Sequence, residues 1–571
     1  MTESLVEWEY WLNHWPAEPV ALTRANAADG YPKPLTPLSE DIVLTYEEAG
    51  CRRFYFDTLG ALGPGDCDRP FMQAYYGLVY LNADQMGDLG AAMPGSSRMG
   101  MYQTFFGLDP DPAFEGPKPS LGDRIKDAGA GLKIGPRILR LARTCAARIE
   151  RQLADVDRAR PEDPDKVSLA EAAAWLDRLE AMQTECWESL MIGAALGAAF
   201  HEATEKAVTR FVGKNGRDLT NRLHVGLGGN ESAEAGRAVR TLAAAARAEP
   251  EVAAAIEAGS PVEEILAAPA FAASFGEVIS RFGHRAPAEL ELANPSWRAD
   301  PRQLLDVVRI ELHRPEQADN APSIRADAEA ELDRRLGPIK RGLVHFLLAR
   351  SRQFMALREN GKTPIVRVFD DTRRLLAAVT ASLIDTGVIG APEDINFLRY
   401  DELRQVLRGD SGPGVAEIER RRAAHARCLE LDLPELVEAG PGWLRPLDDS
   451  FFIERGMLPP ATSATITDTL TGMAASPGRV TATARVLLDP FDDFEPGDIL
   501  IAKTVDPGWA PVLSCAGAVV LDIGGVMSHG AVVARELGIP CVVNVKAGTT
   551  VVQTGATVTV DGSTGEVVLS A

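Results

Sequence analysis

A chain of 571 residues, 46% hydrophobic and 25% charged, has enough material for two or three domains with full cores. Its formal net charge of -22 argues against nucleic acid or an anionic membrane as the main partner, because both need basic surface. Seven scattered cysteines with no C-x-x-C pair read as reduced thiols of a cytoplasmic protein rather than as a disulfide framework.

The N-terminal MTESLVEWEYWLNHW has no basic segment leading into an apolar run, so no secretion signal is expected. Five prolines between Pro16 and Pro37 rule out one long helix there. From Ile42 to Phe106, short helical runs are expected to alternate with an aromatic, methionine-rich patch, FMQAYYGLVYLNADQMG and RMGMYQTFFG. That patch is either the lining of an apolar pocket or plain core. Residues 120–280 read as long helices, with apolar residues spaced three and four apart. The longest apolar run, Leu190–Phe200, is far short of the roughly 20 residues that a membrane span needs. It reads as a buried helix with close neighbours at Gly193 and Gly197. VGLGGNES, 225–232, lacks the Gly-Lys-Ser/Thr of a Walker loop and reads as a turn between helices.

Two stretches concentrate chemistry. In RFGHRAPAELELANPSWRADP, 281–301, His284, Arg285 and Glu289 crowd a proline-broken loop. Such a loop is either salt-bridged structure or a site that takes a proton from a hydroxyl and steadies phosphate charge. In MALRENGKTPIVRVFDDTRRLLAAV, 355–379, Arg358 and Lys362 share a face if one helix runs through, although Gly361 and Pro364 suggest that it ends there. With Arg367, Arg373 and Arg374 they form either a phosphate clamp or a solvated basic face. APEDINFLRYDELRQVL, 391–407, reads as a short strand and a capped helix. Residues 408–472 read as a connector, and from Ala474 onward short β-rich runs alternate with turns.

Within that last part, LDIGGVMSHGAVVARELGIPCVVNV, 521–545, is read as a buried strand, a turn at Gly524 and Gly525, and a short helix. Ser528 is placed to cap the helix, while Gly538 and Pro540 stop it. His529 then sits at the positive helix end, exposed by the glycine turn, where backbone N–H groups favour phosphate.

The joint pattern of GG, three residues, His529, GAVVAR and ELGIP resembles the phosphohistidine signature of the PEP-utilising enzymes. These include phosphoenolpyruvate synthase, pyruvate phosphate dikinase and the rifampicin phosphotransferases. Met527, two residues before the histidine, is the rifampicin phosphotransferase-like choice. TRANAADGYPKPLTPLS resembles the opening of that family's substrate domain, and GHRAPAE…PSW resembles its GHRGPGE…P-x-W motif, with Ala286 and Ala288 where glycines are usual. RENGK resembles its R-E-x-x-K segment, and TVDPGWAP its T-D-P-x-W-x-P segment, with Val505 where threonine is usual.

The resemblance implies an α+β multidomain chain: a mostly helical acceptor domain over 1–407, a connector over 408–472, and a β/β/α swivelling domain over 473–571. It implies His529 as phosphoryl carrier, in a loop with Gly524, Gly525, Ser528 and Arg535. Arg358, Lys362, His284 and Glu289 are then expected at the transfer site, with Arg285 and Arg367 on the substrate. The family's ATP-grasp and TIM-barrel segments are not recognised in the sequence. The organisation therefore resembles the histidine-bearing subunit of phenylphosphate synthase. ATP and Mg²⁺ are expected at a separate ATP-grasp partner, and the acceptor is expected to be a small, apolar or aromatic hydroxyl compound. A phosphorylation-coupled dehydratase and a non-catalytic binding protein that keeps the swivelling fold remain alternatives.

Overall fold

The computed structural model describes residues 15–24, 27–62, 69–92, 121–213, 215–229, 231–313, 320–431, 433–447, 469–488, 492, 494–526 and 528–569. The expectations for the first fourteen residues, for RMGMYQTFFG, for the 448–468 part of the connector and for Met527 lie outside them. The chain is an α+β protein with two sheets, and it divides into two compact units. One comprises Met1–Ala199, Leu290–Asn294 and Leu357–Pro460; the other comprises Phe200–Glu289, Pro295–Ala356 and Ala461–Ala571. Among the described residues, no helix is long and apolar enough to cross a membrane.

In the first unit, strands β1 (Val20–Thr23), β2 (Met72–Tyr75), β3 (Leu78–Asn82), β4 (Leu436–Gly440) and β5 (Trp443–Pro446) form an antiparallel sheet in the order β2-β3-β1-β4-β5. The FMQAYYGLVYLN part of the aromatic patch, for which no element type is assigned from sequence, is a hairpin. Tyr76 and Gly77 both take positive φ (55° and 78°), as a two-residue turn between twisted strands requires. Tyr75, Tyr80, Val20, Leu22 and Val437 make the core of this sheet. β4, β5 and the helix Val415–Cys428 all come from the stretch read as a connector. Pro392–Phe397 is a 3₁₀ turn rather than a strand, because Asp394 accepts hydrogen bonds from the N–H groups of Gly390 (3.1 Å) and Ala391 (2.9 Å) and curls the chain.

Long helices fill the rest: Leu121–Ala159, Leu169–Val212 and the 48-residue Pro338–Asp385. The last runs straight through Gly361 and Pro364, against the sequence expectation. An interior proline costs about 3 kcal/mol, which burial of Ile365, Val366, Val368 and Phe369 just beyond it can offset. The glycine has a packing role. A methyl on Gly361 would lie 3.3 Å from Leu190 Cα, and one on Gly193 only 2.4 Å from the Arg358 backbone nitrogen. The two helices thus touch at the backbone, as the apolar run predicted for Gly193. Gly193→Ala is expected to lower the unfolding free energy by about 1–3 kcal/mol, measured by denaturant titration. Gly213→Ala is no control, because its φ of 94° is itself left-handed; Gly135→Ala, with open space around it, is one.

In the second unit, eight strands run in the order β6-β13-β12-β8-β9-β10-β11-β7. They are β6 (Thr469–Thr471), β7 (Met473–Ser476), β8 (Arg479–Val486), β9 (Ile499–Ala502), β10 (Ala518–Leu521), β11 (Cys541–Val543), β12 (Thr557–Asp561) and β13 (Glu566–Leu569). β8, β9, β10 and β11 are mutually parallel, and the other pairings are antiparallel. Alternation splits the central strands between two cores. Leu500, Val519 and Leu521 face the helices with Val512, Leu513 and Val533, whereas Ile499, Ile501 and Val520 meet Val558, Val560 and Val567 from β12 and β13. Helices Glu231–Ala248, Pro269–Phe282 and Pro301–Leu312 build a separate core around Phe271, Phe275, Phe282 and Trp297.

Candidate functional site

A parallel sheet places its crossover loops at the carboxyl ends of its strands, which is where α/β folds gather ligand-binding groups. The loop after β10 carries His529, and the loop after β9 carries Asp506. Gly524, at φ 134°, turns the chain where a methyl would strike Ser528 Oγ at 2.9 Å. Ser528 N–H then donates to Gly525 O (2.9 Å), and His529 begins the helix His529–Leu537. The helix stops as predicted. Gly538 is left-handed (φ 67°, ψ 28°), its N–H donates to Ala534 and Arg535 carbonyls, and Ile539 N–H returns to Ala534 O at 2.9 Å.

Two expectations fail here. Ser528 holds the N-cap position with extended backbone, but its side chain makes no capping hydrogen bond; it is fully buried against the Gly524 turn instead. His529 is 4% exposed rather than displayed on the surface. The reason for its burial is that the whole loop region is packed. Gly530 is so close that a Cβ there would lie 2.6 Å from both Leu521 Cδ1 and Val505 Cγ2. The valine at the position where threonine is usual is thus a fully buried packing partner of the helix start.

Arg535, expected in the phosphate loop, is 1% exposed. Its Nε donates to Ala475 O (2.7 Å) and its Nη2 to Val526 O, three residues before His529. It braces the loop from behind.

The 283–289 loop lies in the same unit and meets the loop after β9. A methyl on Gly508 would approach Pro287 Cα to 3.0 Å, and Asp506 Oδ1 accepts the Gly508 N–H at 2.6 Å. Trp297 and Arg298 N–H groups donate to the Arg285 (2.8 Å) and Gly283 (2.9 Å) carbonyls and hold the loop closed. Arg285 Nη1 donates to Glu289 Oε1 at 2.8 Å, and both side chains are buried. The guanidinium expected on substrate is therefore engaged by the carboxylate expected as base. His284 Nε2 stands 3.8 Å from Glu231 Oε1, at the start of the earlier helix Glu231–Ala248. Ala288 takes φ 44°, a conformation that suits glycine. Ala288→Gly is expected to raise stability by about 0.5–1 kcal/mol, read from the denaturation midpoint.

Arg358 and Lys362 belong to the first unit, on one face of the Pro338–Asp385 helix. Arg358 Nη1 donates to Glu359 Oε1 at 2.7 Å. The wider basic cluster is dispersed. Nine residues at about 100° each put Arg367 on the face opposite Arg358, where it lies 3.7 Å from Asp157. Arg373 donates to Glu291 O (2.8 Å), and Arg374 pairs with Asp165 (3.1 Å). Arg367, Arg373 and Arg374 thus each engage an acidic side chain or a carbonyl of the protein.

What the sequence reading missed is Glu47, on the helix Pro37–Arg52. It is buried, accepts a short hydrogen bond from the Tyr31 hydroxyl, and feels the charge of Lys362. Burial raises its carboxyl to about 7, against which Tyr31 and Lys362 pull only partly. Glu40 on the same helix is likewise raised to about 7 by burial, opposed by Arg399. The signal was available only as two glutamates about two turns apart on the helix's inward side.

Between the ordinary carboxyl value near 4.5 and about 7, the folded chain holds protons that the unfolded chain has released. Stability therefore falls as pH rises through this window, by at most about 1.4 kcal/mol per pH unit for each carboxyl. Glu47→Gln is expected to flatten the slope between pH 5 and 7, measured by denaturant titrations across that range.

Comparison with known proteins adds two domain matches. Residues 189–359 match the rifampicin phosphotransferase fourth domain, and residues 494–565 match the mobile domain of PEP-utilising enzymes. An uncharacterized protein of Mycobacterium tuberculosis strain H37Rv is 33% identical over 339 residues, covering 59% of this chain and 36% of that protein. The prodigiosin synthesizing transferase PigC of Serratia marcescens is 27% identical over 389 residues, 65% of this chain and 42% of PigC. The rifampicin phosphotransferase of Streptomyces sviceus is 27% identical over 376 residues, 61% and 41% respectively. The chain thus spans about two fifths of the length of these relatives.

Proposed function

From the kinship of this chain to the PEP-utilising enzymes, and to rifampicin phosphotransferase among them, we propose that it is a phosphotransferase that carries the phosphoryl group on His529. The observation that carries this reading is the placement of His529 as the first residue of a helix at the carboxyl end of β10, inside the stretch that matches the mobile domain. A neutral imidazole is a competent phosphoryl acceptor, and the first-turn N–H groups and helix dipole favour the anion that forms.

In the proposed cycle a ring nitrogen of His529 attacks the β-phosphorus of ATP, bound with Mg²⁺ on an ATP-grasp partner; AMP leaves, and water then cleaves the γ-phosphoryl group from the pyrophosphorylated histidine as phosphate. A hydroxyl of a small acceptor then attacks the phosphorus, its proton passes to a base, and the imidazole departs. Arg358 and Lys362 are assigned to the phosphoryl oxygens and His284 or Glu289 to the hydroxyl proton. Since Arg285 already holds Glu289 as a carboxylate partner, His284 is the better base of the two. Phosphoryl transfer asks mainly for alignment and charge neutralisation, which suits a few fixed cations. Because His529 is buried, loading requires its loop to be uncovered first.

Incubation of the full chain with labelled ATP, Mg²⁺ and the candidate ATP-grasp protein is expected to give acid-labile, base-stable label on His529. His529→Ala should reduce it at least a thousandfold. Label that persists in that variant would overturn the assignment. Label without any phosphorylated product would favour the dehydratase alternative.

A further inference from the structure

The helix Leu121–Ala159 lines a cavity of about 600 Å³ in the first unit. Four of the lining side chains are arginines, Arg137, Arg140, Arg148 and Arg151; Asp57 and Thr58 are among the others. Four guanidiniums around one hollow are unexpected in a chain of formal net charge -22. The arginines fall into two pairs. Arg148 is bound to Glu188 and lies 3.3 Å from Glu185, and Arg151 lies 2.6 Å from Glu185. Glu188 is buried and also meets Arg53 (3.0 Å) and Thr58. This pair is neutralised by carboxylates beside the cavity.

The other two are not neutralised among the described residues. There Arg137 donates to the Leu59 carbonyl (2.7 Å), an uncharged acceptor, and has no acidic partner. Arg140, one turn on along the same face, makes no side-chain ion pair or hydrogen bond among the described residues. Two unneutralised guanidiniums one turn apart match the fork geometry of an oxyanion. The volume is that of a small-molecule site rather than of a lone ion. Asp57 in the same wall would repel a second anionic group and accept from a hydroxyl.

We propose that this cavity binds a small organic molecule through a phosphate or another oxyanion group held by Arg137 and Arg140, with a hydroxyl-bearing remainder toward Asp57. The site uses neither His529 nor the residues assigned to phosphoryl transfer, so it stands or falls independently of the function proposed above.

The test is calorimetric titration of the full-length chain with inorganic phosphate and with phenyl phosphate, at low salt. Saturable binding is expected, tighter for phenyl phosphate. Arg140→Ala is expected to weaken it about tenfold or more, since a charge-assisted hydrogen bond is worth that much. Arg140→Lys should retain part of the affinity, because the charge stays while the fork is lost. Arg143→Ala, the same charge change on an exposed residue of the same helix outside the cavity wall, should leave binding unchanged. The variants alter exposed side chains, and unchanged thermal melts would show that they fold. No saturable binding, or equal losses in Arg140→Ala and Arg143→Ala, would overturn the proposal. Benzoate binding as tightly as phenyl phosphate would support the site while assigning it to carboxylates.

Discussion

The geometry around His529 depends on a buried arginine. Arg535 lies on the same short helix, 1% exposed, and ties two carbonyls from other elements, Ala475 in β7 and Val526 in the preceding loop. Each of these acceptors would cost about 1–3 kcal/mol if left unmet in the interior. A guanidinium can satisfy both because its donors diverge in one plane, which no lysine reproduces. The surroundings adapt to its charge. The imidazoles of His201 and His224, packed edge to face at 4.9 Å, are held neutral by burial and by Arg535, His201 down to about 3. His224 spends its ring nitrogens on Thr220 O and Ser351 Oγ, both at 2.8 Å. The positive charge is thus tolerated because the bases beside it do not compete for protons.

The same economy explains the 281–301 segment, whose acidic residues look alike in sequence and act differently. Glu289 takes the Arg285 guanidinium. Glu291 accepts from the Thr36 N–H (2.8 Å), the Thr36 hydroxyl (2.7 Å), the Ser39 hydroxyl (2.9 Å) and the Ala293 N–H (2.8 Å). A carboxylate from a distant loop thereby holds Thr36 and Ser39 at the start of the Pro37–Arg52 helix, whose own N-cap Thr36 makes no side-chain cap. That leaves Glu40 and Glu47, on the same helix, to be buried with partial compensation.

The parts of the fold that could be read from sequence are those where local chemistry and tertiary demand agree. The short β-rich runs expected from Ala474 onward are strands, and the Gly538 stop is left-handed, because alternation and glycine φ are local properties. The N-terminal sheet was not legible. Its Tyr76–Gly77 turn lacks the Asn-Gly signal, and β1 finds its partners β3 and β4 far along the chain. Pro364 misled for the complementary reason: propensity argued for a break, and burial on both sides overrode it. At the site, residue types were legible and their partners were not. Nothing local says that Arg367 turns toward Asp157, that Ser528 points inward, or that Lys362 faces Glu47.

Gly530 has a further consequence. The residue after His529 approaches Leu521 and Val505 more closely than any side chain allows, so the first turn of the helix rests directly on two aliphatic groups. The closest approach of the imidazole to the sheet is therefore limited by van der Waals contact, a steep repulsive wall, in addition to the hydrogen bonds of Arg535. A ring atom positioned in this way has little freedom to sink toward the sheet. The imidazole thus has a seat with one firm side, and that side is built of Leu521 and Val505.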